Sequence, residues 1–416
     1  MGFPMTIHVA PGLGDPDLRG EPASRDPYAV YDALRERGPV VLSSVHRAWL
    51  ITAHAAVAGA HTRPELSSDR IGPMIDGGRV SLTQESLRVL SLMRDWMVVT
   101  DPPAHTRLRR VAAAAFKRQR IALMTDLIRD RVDELLDAFV RSGETDLIEH
   151  VAHPLPASLI ADLLGAPRED RDRFRLWSDD LALVAFGAGG EAQEERHVRA
   201  LSGLENMFGY FRELLERARS AADDTILSVL AVPQPDGTRL TDDEILSMSA
   251  LLLFAGHETT INSISNGVLA LLRHPDQLQQ LKADRSLMPG AVEEMLRYDG
   301  PVKLVVRWVT RDLELGGEVL RAGDRAYLVN SAANRDPSVF DFPDSFDIRR
   351  SPNPHLAFGR GVHACIGAQL ARIEMRVAIE RILDRLPGLR LAGEPQWLPS
   401  LASRAMRELR VTHDAR

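Results

Sequence analysis

The sequence predicts a helix-dominated α+β fold with small β-sheets. Three observations carry that prediction. Apolar residues recur mostly at helical spacing from about 104 to 298. Short apolar runs broken by turn residues fill about 39–70 and 301–330. One further helix follows the only cysteine, over about 366–386. Proline and glycine are dispersed, with no repeat and no low-complexity linker, so one domain over 1–416 is expected.

The N-terminus, MGFPMTIHVAPGLGDPDLRG, lacks the charged-then-apolar order of a signal peptide. Gly2 and Thr6 match the loose myristoylation pattern, which Pro4 fits poorly. Residues 28–36 (YAVYDALRE) read as an amphipathic helix, and GPVVL (39–43) and AWLIT (48–52) as strands. The longest helix runs from Thr241 to about His274. TDDE (241–244) is a capping box, and His274-Pro275 is a stop. At ~1.5 Å per residue such a helix is roughly 50 Å long, enough to cross a domain. After 301, VKLVVRWV, LELGG, EVLRAGDRAYLV and LRVTH read as short strands between turns.

Composition limits the function. The chain has 416 residues, 44% apolar, with net charge −7 and a single cysteine, Cys365. Nothing here favours nucleic acid, and no run of about 20 apolar residues could span a membrane. A cytoplasmic protein without stable membrane insertion is expected. One cysteine excludes an internal disulfide and any multi-cysteine metal site.

Two stretches break local rules. LLLFAGHETTINSIS (251–265) puts Gly256, Glu258, Thr259 and Thr260 in the middle of the longest helix. Glycine there costs about 1 kcal/mol relative to alanine, and unpartnered buried polar groups cost more. Either function keeps them there, or the threonines bond back to carbonyls in a kinked helix. The zincin motif fails, because position 261 is Ile. The second stretch is FGRGVHACIG (358–367). A free cysteine is often just a small buried hydrophobe. Gly359, Gly361 and Gly367 instead suggest a backbone in unusual dihedrals or closely approached by a ligand. A helix starting just after Cys365 would favour its thiolate.

DPPAHTRLRR (101–110), AGHETT (255–260), EEMLR (293–297) and FGRGVHACIG together resemble the cytochrome P450 family of haem-thiolate monooxygenases. The cysteine loop matches F-G-x-G-x-H-x-C-x-G at every fixed position, and the motifs span nearly the whole chain in order. The resemblance implies the cytochrome P450 fold as a single haem-binding domain, with haem b ligated by Cys365. It implies His105, Arg109, Arg307 and His363 as haem-propionate donors, and Phe358 beside the sulfur. Gly359 and Gly367 would let the backbone curl under it, and Ala255 and Gly256 would make room for O2. Glu258 and Thr259 would be the acid–alcohol pair that delivers protons. Glu294 and Arg297, with Arg350, would form a buried structural network.

An enzyme of this kind inserts one oxygen atom of O2 into a small, mostly apolar substrate. Its electrons would come from NAD(P)H through a separate ferredoxin and ferredoxin reductase. An acidic ferredoxin would meet Arg107, Arg110, Lys117, Arg118, Arg360 and Arg372, and the protein would be a monomer. A peroxide-driven hydroxylase on the same scaffold and a non-catalytic haem sensor are the alternatives. The kept acid–alcohol pair speaks against both.

Substrate-facing segments are expected at 71–98, 175–190, 251–259, 302–306 and 400–402. Met97, Val98, Leu252, Ala255, Thr259, Lys303, Leu304 and Leu401 are the pocket candidates, with Met74, Ile75, Leu82, Met93 and Trp96 nearby. If 301–307 is extended, Lys303 shares a face with Arg307. Its ammonium then either snorkels to water or anchors an acidic substrate.

Overall fold

The structure, a computed structural model, describes residues 15–76, 82–116, 118–138, 140–141, 143–187, 193–220 and 224–414. The Gly2–Thr6 pattern, Lys117 and the Arg118 side chain lie outside these. So do 77–81 and 188–190 of the expected substrate segments.

The fold is mainly α-helical with small sheets. Its axis is the helix Asp242–Arg273. Thr241 starts it: its Oγ1 accepts from Glu244 N at 3.3 Å, and Thr241 N donates to Glu244 Oε2 at 2.9 Å. Together they satisfy two backbone donors that a helix start leaves orphaned. Pro275, after His274, ends it. Most of its residues from Ile245 to Leu271 are buried on every side, as expected of a helix apolar all round. At Gly267 a Cβ would sit 2.9 Å from Met295 Sδ and 3.5 Å from Ile379 Cδ1. The small residue lets Met288–Asp299 and Ala368–Arg385 close against this helix.

Two large apolar clusters flank the axis. One joins its C-terminal half to Met288–Asp299 and Ala368–Arg385. The other joins its N-terminal half to 89–115, Pro154–Leu164 and Gln193–Ser220. The largest sheet orders its strands Val40–Ser43, Ala48–Ile51, Arg325–Leu328, Val305–Val309 and Leu66–Ser67. Ala48–Ile51 and Arg325–Leu328 run parallel, and the other neighbours antiparallel. Arg307 faces Ala326 across this sheet, and Ser67 faces Trp308.

The expected strand over 301–307 is shorter. Pairing begins at Val305. Before it, Val302 forms a single bridge with Ser403, Lys303 N donates to Ala402 O at 2.7 Å, and Ser331 N donates to Lys303 O at 3.1 Å. The 400–404 segment therefore covers 301–304.

Candidate active site

The cysteine loop is held from its own backbone outward. Cys365 N donates to Phe358 O at 2.9 Å, and Gly359 N to Leu356 O at 2.9 Å. Gly359 and Gly361 have φ of +64° and +73°, a region that side-chain-bearing residues rarely adopt. A Cβ on Gly361 would lie 2.8 Å from the His61 carbonyl oxygen. Gly367 differs from the expectation: its φ is −87°, ordinary for any residue, and a Cβ there would meet nothing within 4 Å. Its part is to cap Ala368–Arg385 and donate its N–H to Cys365 Sγ.

The cysteine's acidity also departs from expectation. Burial pushes the thiol up, against the Gly367 N–H and the charges of Arg109 and Arg372. Desolvation of a thiolate outweighs the helix terminus here. Yet the cysteine is accessible. Ala255 shows the same pattern: it is accessible, while Leu252, Leu253 and Phe254 before it and His257 after it are buried.

A group of cations and imidazoles without acidic partners stands beside the loop. His105 is 1% exposed, and neither ring nitrogen has a partner. Its ring centroid is 4.1 Å from that of His363, whose Nε2 is also buried and unpartnered. Arg109 Nη2 donates to Ala364 O at 2.6 Å, and Arg307 Nη1 to its neighbour Val306 O at 3.0 Å. Neither arginine forms an ion pair among the described residues. Burial and then Arg70 pull the Arg307 guanidinium down to about 10. Burial, with His105, Arg307, Arg109 and Arg70, pulls His363 down to about 3. Buried positive charge and orphaned ring nitrogens at one place call for an anion. The two carboxylates of haem, with a single accessible cysteine alongside, fit this donor set.

On the long helix, Thr259 Oγ1 donates to Ala255 O at 2.8 Å, and Thr260 Oγ1 to Gly256 O at 3.0 Å. The hydrogen of Thr259 is thus engaged, and its lone pairs are left to accept. Burial, then the Asp179 carboxylate, pushes Glu258 up to about 8, so it carries its proton at neutral pH. His257 is fully buried, with Nε2 3.3 Å from His153 O.

Glu294, Arg297 and Arg350 meet. Arg297 donates Nε and Nη2 to the two oxygens of Glu294 at 2.7 and 2.8 Å, and Arg350 Nε lies 3.2 Å from both. The remaining Arg297 donors reach the carbonyls of Asn334, Pro343 and Ser345. Asn334 Oδ1 in turn accepts from Leu356 N, at the entrance to the cysteine loop. Sequence reasoning missed the neighbouring Glu293. It takes Arg372 in two parallel bonds at 2.6 and 2.8 Å and His355 at 3.0 Å. Arg372 also lies over the Phe358 ring at 4.4 Å.

Several expectations are corrected. Lys303 does not reach a pocket or water. It is 2% exposed, and its Nζ donates to the carbonyls of Ser400 and, at 3.4 Å, Leu18. Leu304 is packed among Leu18, Tyr31, Val41 and Tyr327 behind the large sheet. Both follow from the 400–404 segment lying over 301–304. Met97 and Leu252 are buried in the apolar cluster, Val98 is exposed, and Leu401 is half-buried where the chain passes Gly187. Trp96 and Met93 are core, with Trp96 against Phe254. The expected basic docking face is largely neutralised. Arg107 pairs with Glu244, Arg110 with Asp236 at 2.8 Å, and Arg372 with Glu293. Arg360 remains exposed, without an ion pair among the described residues.

Among the described residues no helix is long and apolar enough to cross a membrane.

Comparison with known proteins agrees with this geometry. The family model for Cytochrome P450 matches residues 193–387. The chain is 39% identical to the cytochrome P450 monooxygenase PikC of Streptomyces venezuelae, over 97% of this chain and 95% of that protein. It is 38% identical to a steroid C26-monooxygenase of Mycobacterium tuberculosis, over 91% and 90%. Among solved structures, P450BioI in complex with an acyl-carrier-protein-linked fatty acid superposes with a TM-score of 0.87 at 34% identity, covering 94% of this chain and 99% of that one. CalO2 superposes with a TM-score of 0.88 at 31% identity, covering 97% and 100%. The chain belongs to the cytochrome P450 family, as a monooxygenase of the bacterial type.

Proposed function

We propose that Cys365 is the thiolate ligand of haem b, and that His105, Arg109, Arg307 and His363 hold the haem carboxylates. The observation that carries this is the accessible Cys365 beside buried His105, whose two ring nitrogens have no partner. Bound there, haem supplies reductive O2 activation, with one oxygen atom going to substrate. Phe358, placed by the Arg372 cation over its ring, shields the sulfur side from water. Gly359 shapes the loop, Gly367 holds the sulfur by its N–H, and Ala255 with Gly256 keeps the opposite wall low.

The proton chemistry falls to two side chains. Glu258 holds a proton at neutral pH. Thr259 Oγ1, its own hydrogen held by Ala255 O, accepts in relay and positions the donor. Glu294, Arg297 and Arg350 keep the loop in register.

The substrate is a small, mostly apolar organic molecule. The steroid named for one relative supports that reading. Electrons come from NAD(P)H through a separate ferredoxin and reductase. The test is turnover by the haem-loaded protein. NADH with a ferredoxin system should sustain hydroxylation, and peroxide alone should not. Equal turnover with peroxide alone would overturn the electron route.

A further inference from the structure

Arg70 belongs to none of the motifs above. It follows the strand Leu66–Ser67 in the run SSDR and precedes the short helix Gly72–Asp76. Three elements bring it to the cationic group. The strand Leu66–Ser67 pairs with Val305–Val309, which carries Arg307. Asp101, at the head of the helix carrying His105 and Arg109, accepts from Ser67 Oγ and, at 2.9 Å, from Ser68 N. That carboxylate ties the end of the strand to the start of the helix. Arg70, two residues beyond Ser68, therefore sits on the segment held both to the strand of Arg307 and to the head of the His105 helix. Its charge is felt by both Arg307 and His363.

Arg70 has no hydrogen bond or ion pair among the described residues. Its nearest acids are committed elsewhere. Asp69 Oδ1 accepts from Ile71 N at 3.2 Å and Gly72 N at 2.7 Å. Asp101 is taken by the two serines. The guanidinium is strongly desolvated and drawn down to about 10, with Asp69 only partly opposing this. A further guanidinium near Arg307, with no acidic partner of its own, raises the energy of the site unless an anion joins it.

We infer that Arg70 is a further carboxylate-binding residue of the haem site, pairing with a haem carboxylate alongside Arg307. This rests on the haem reading above. The bond is a charge-assisted one, and an arginine fork can hold a carboxylate by two parallel N–H groups. Arg70 also leads into the 71–98 segment expected to face substrate, so it links haem seating to that segment's anchorage.

The test measures haem loss from the holoenzyme to apomyoglobin, for the wild type, Arg70→Gln and Arg70→Lys. Each is loaded either with haem or with its dimethyl ester. With haem, Arg70→Gln should lose the group about tenfold or more faster, with Arg70→Lys between the two. With the ester, which has no carboxylate charge, wild type and Arg70→Gln should agree within about twofold. Equal loss rates with haem would overturn the inference. An undiminished difference with the ester would overturn it too, by showing that Arg70 acts only on the fold. A third arm compares a long-chain fatty acid with its methyl ester as ligands. If Arg70→Gln abolishes a preference for the acid while haem loss stays unchanged, the carboxylate is the substrate's and the inference fails. Failure of the wild type to take up haem at all would instead sink the haem reading itself.

Discussion

Lys303→Met is the substitution whose consequence the structure fixes most fully. The ammonium is 2% exposed and is met by two backbone carbonyls, with no carboxylate in contact. Burial, then the Arg404 charge, pulls it from 10.5 down to about 7, against Asp299. Below pH 7 the lysine is charged in both folded and unfolded chains, and the folded state bears the whole desolvation cost. Between 7 and 10.5 the unfolded chain keeps the proton and the folded one does not, so stability rises with pH through that window. At about 1.4 kcal/mol per pH unit, the wild type should gain about 3 kcal/mol on Lys303→Met from pH 7 to about pH 9.5. Methionine has similar length and no charge. It removes the titration but leaves two carbonyls short of a donor, at about 1–3 kcal/mol each. The absolute offset therefore mixes two effects, while the pH slope of the difference isolates one. Urea unfolding of both holoenzymes across this range measures it. Parallel pH profiles would refute the reasoning, because they would mean the lysine keeps an ordinary pKa through water or an anion. The same geometry predicts equal affinity for acidic ligands and their esters as far as Lys303 is concerned.

Thr259→Ala should leave haem uptake intact and lower product formed per NADH several-fold, with the balance appearing as peroxide. Unchanged coupling would remove Thr259 from proton delivery. Arg297→Lys keeps the charge but loses the fork that serves Glu294 and three carbonyls. It should cost about 3–5 kcal/mol in urea unfolding and speed haem loss, because Asn334 carries the network to Leu356. Glu374 is buried on the cysteine-loop helix with Oε2 unpartnered, and burial pushes it up to about 8. A carboxyl raised this way destabilises the fold progressively as pH rises from 4.5 to 8. Glu374→Gln should therefore stabilise by about 3–5 kcal/mol more at pH 8 than near pH 4.5. A pH-independent difference would contradict that.

Much of this site was legible because its signals are local. Thr241 and Glu244 start the long helix by themselves, and His274-Pro275 ends it. Glycine and hydroxyls in an apolar helix mark the stretch proposed to handle protons. The cysteine loop needs Gly359 and Gly361 for its backbone, so its residues declare its shape. What stayed hidden depends on partners far along the chain. Lys303 reads as pocket-facing until the 400–404 segment closes over it. Arg107, Arg110 and Arg372 read as free cations until Glu244, Asp236 and Glu293 arrive from other elements. Arg70 carries no pattern, and its meaning comes only from the pairing of Leu66–Ser67 with Val305–Val309. The Cys365 thiol, expected to be acidified by its helix, is pushed up instead, because desolvation by the surrounding protein outweighs the Gly367 N–H and the nearby arginines.

The central claim is that Cys365 holds haem iron as a thiolate. The spectrum of the reduced carbon monoxide complex tests it most directly, measured for the wild type and Cys365→Ser. The wild type should show the red-shifted Soret band of thiolate ligation, and the serine variant should lose it. A wild type without that band, or a serine variant that keeps it, would contradict the account.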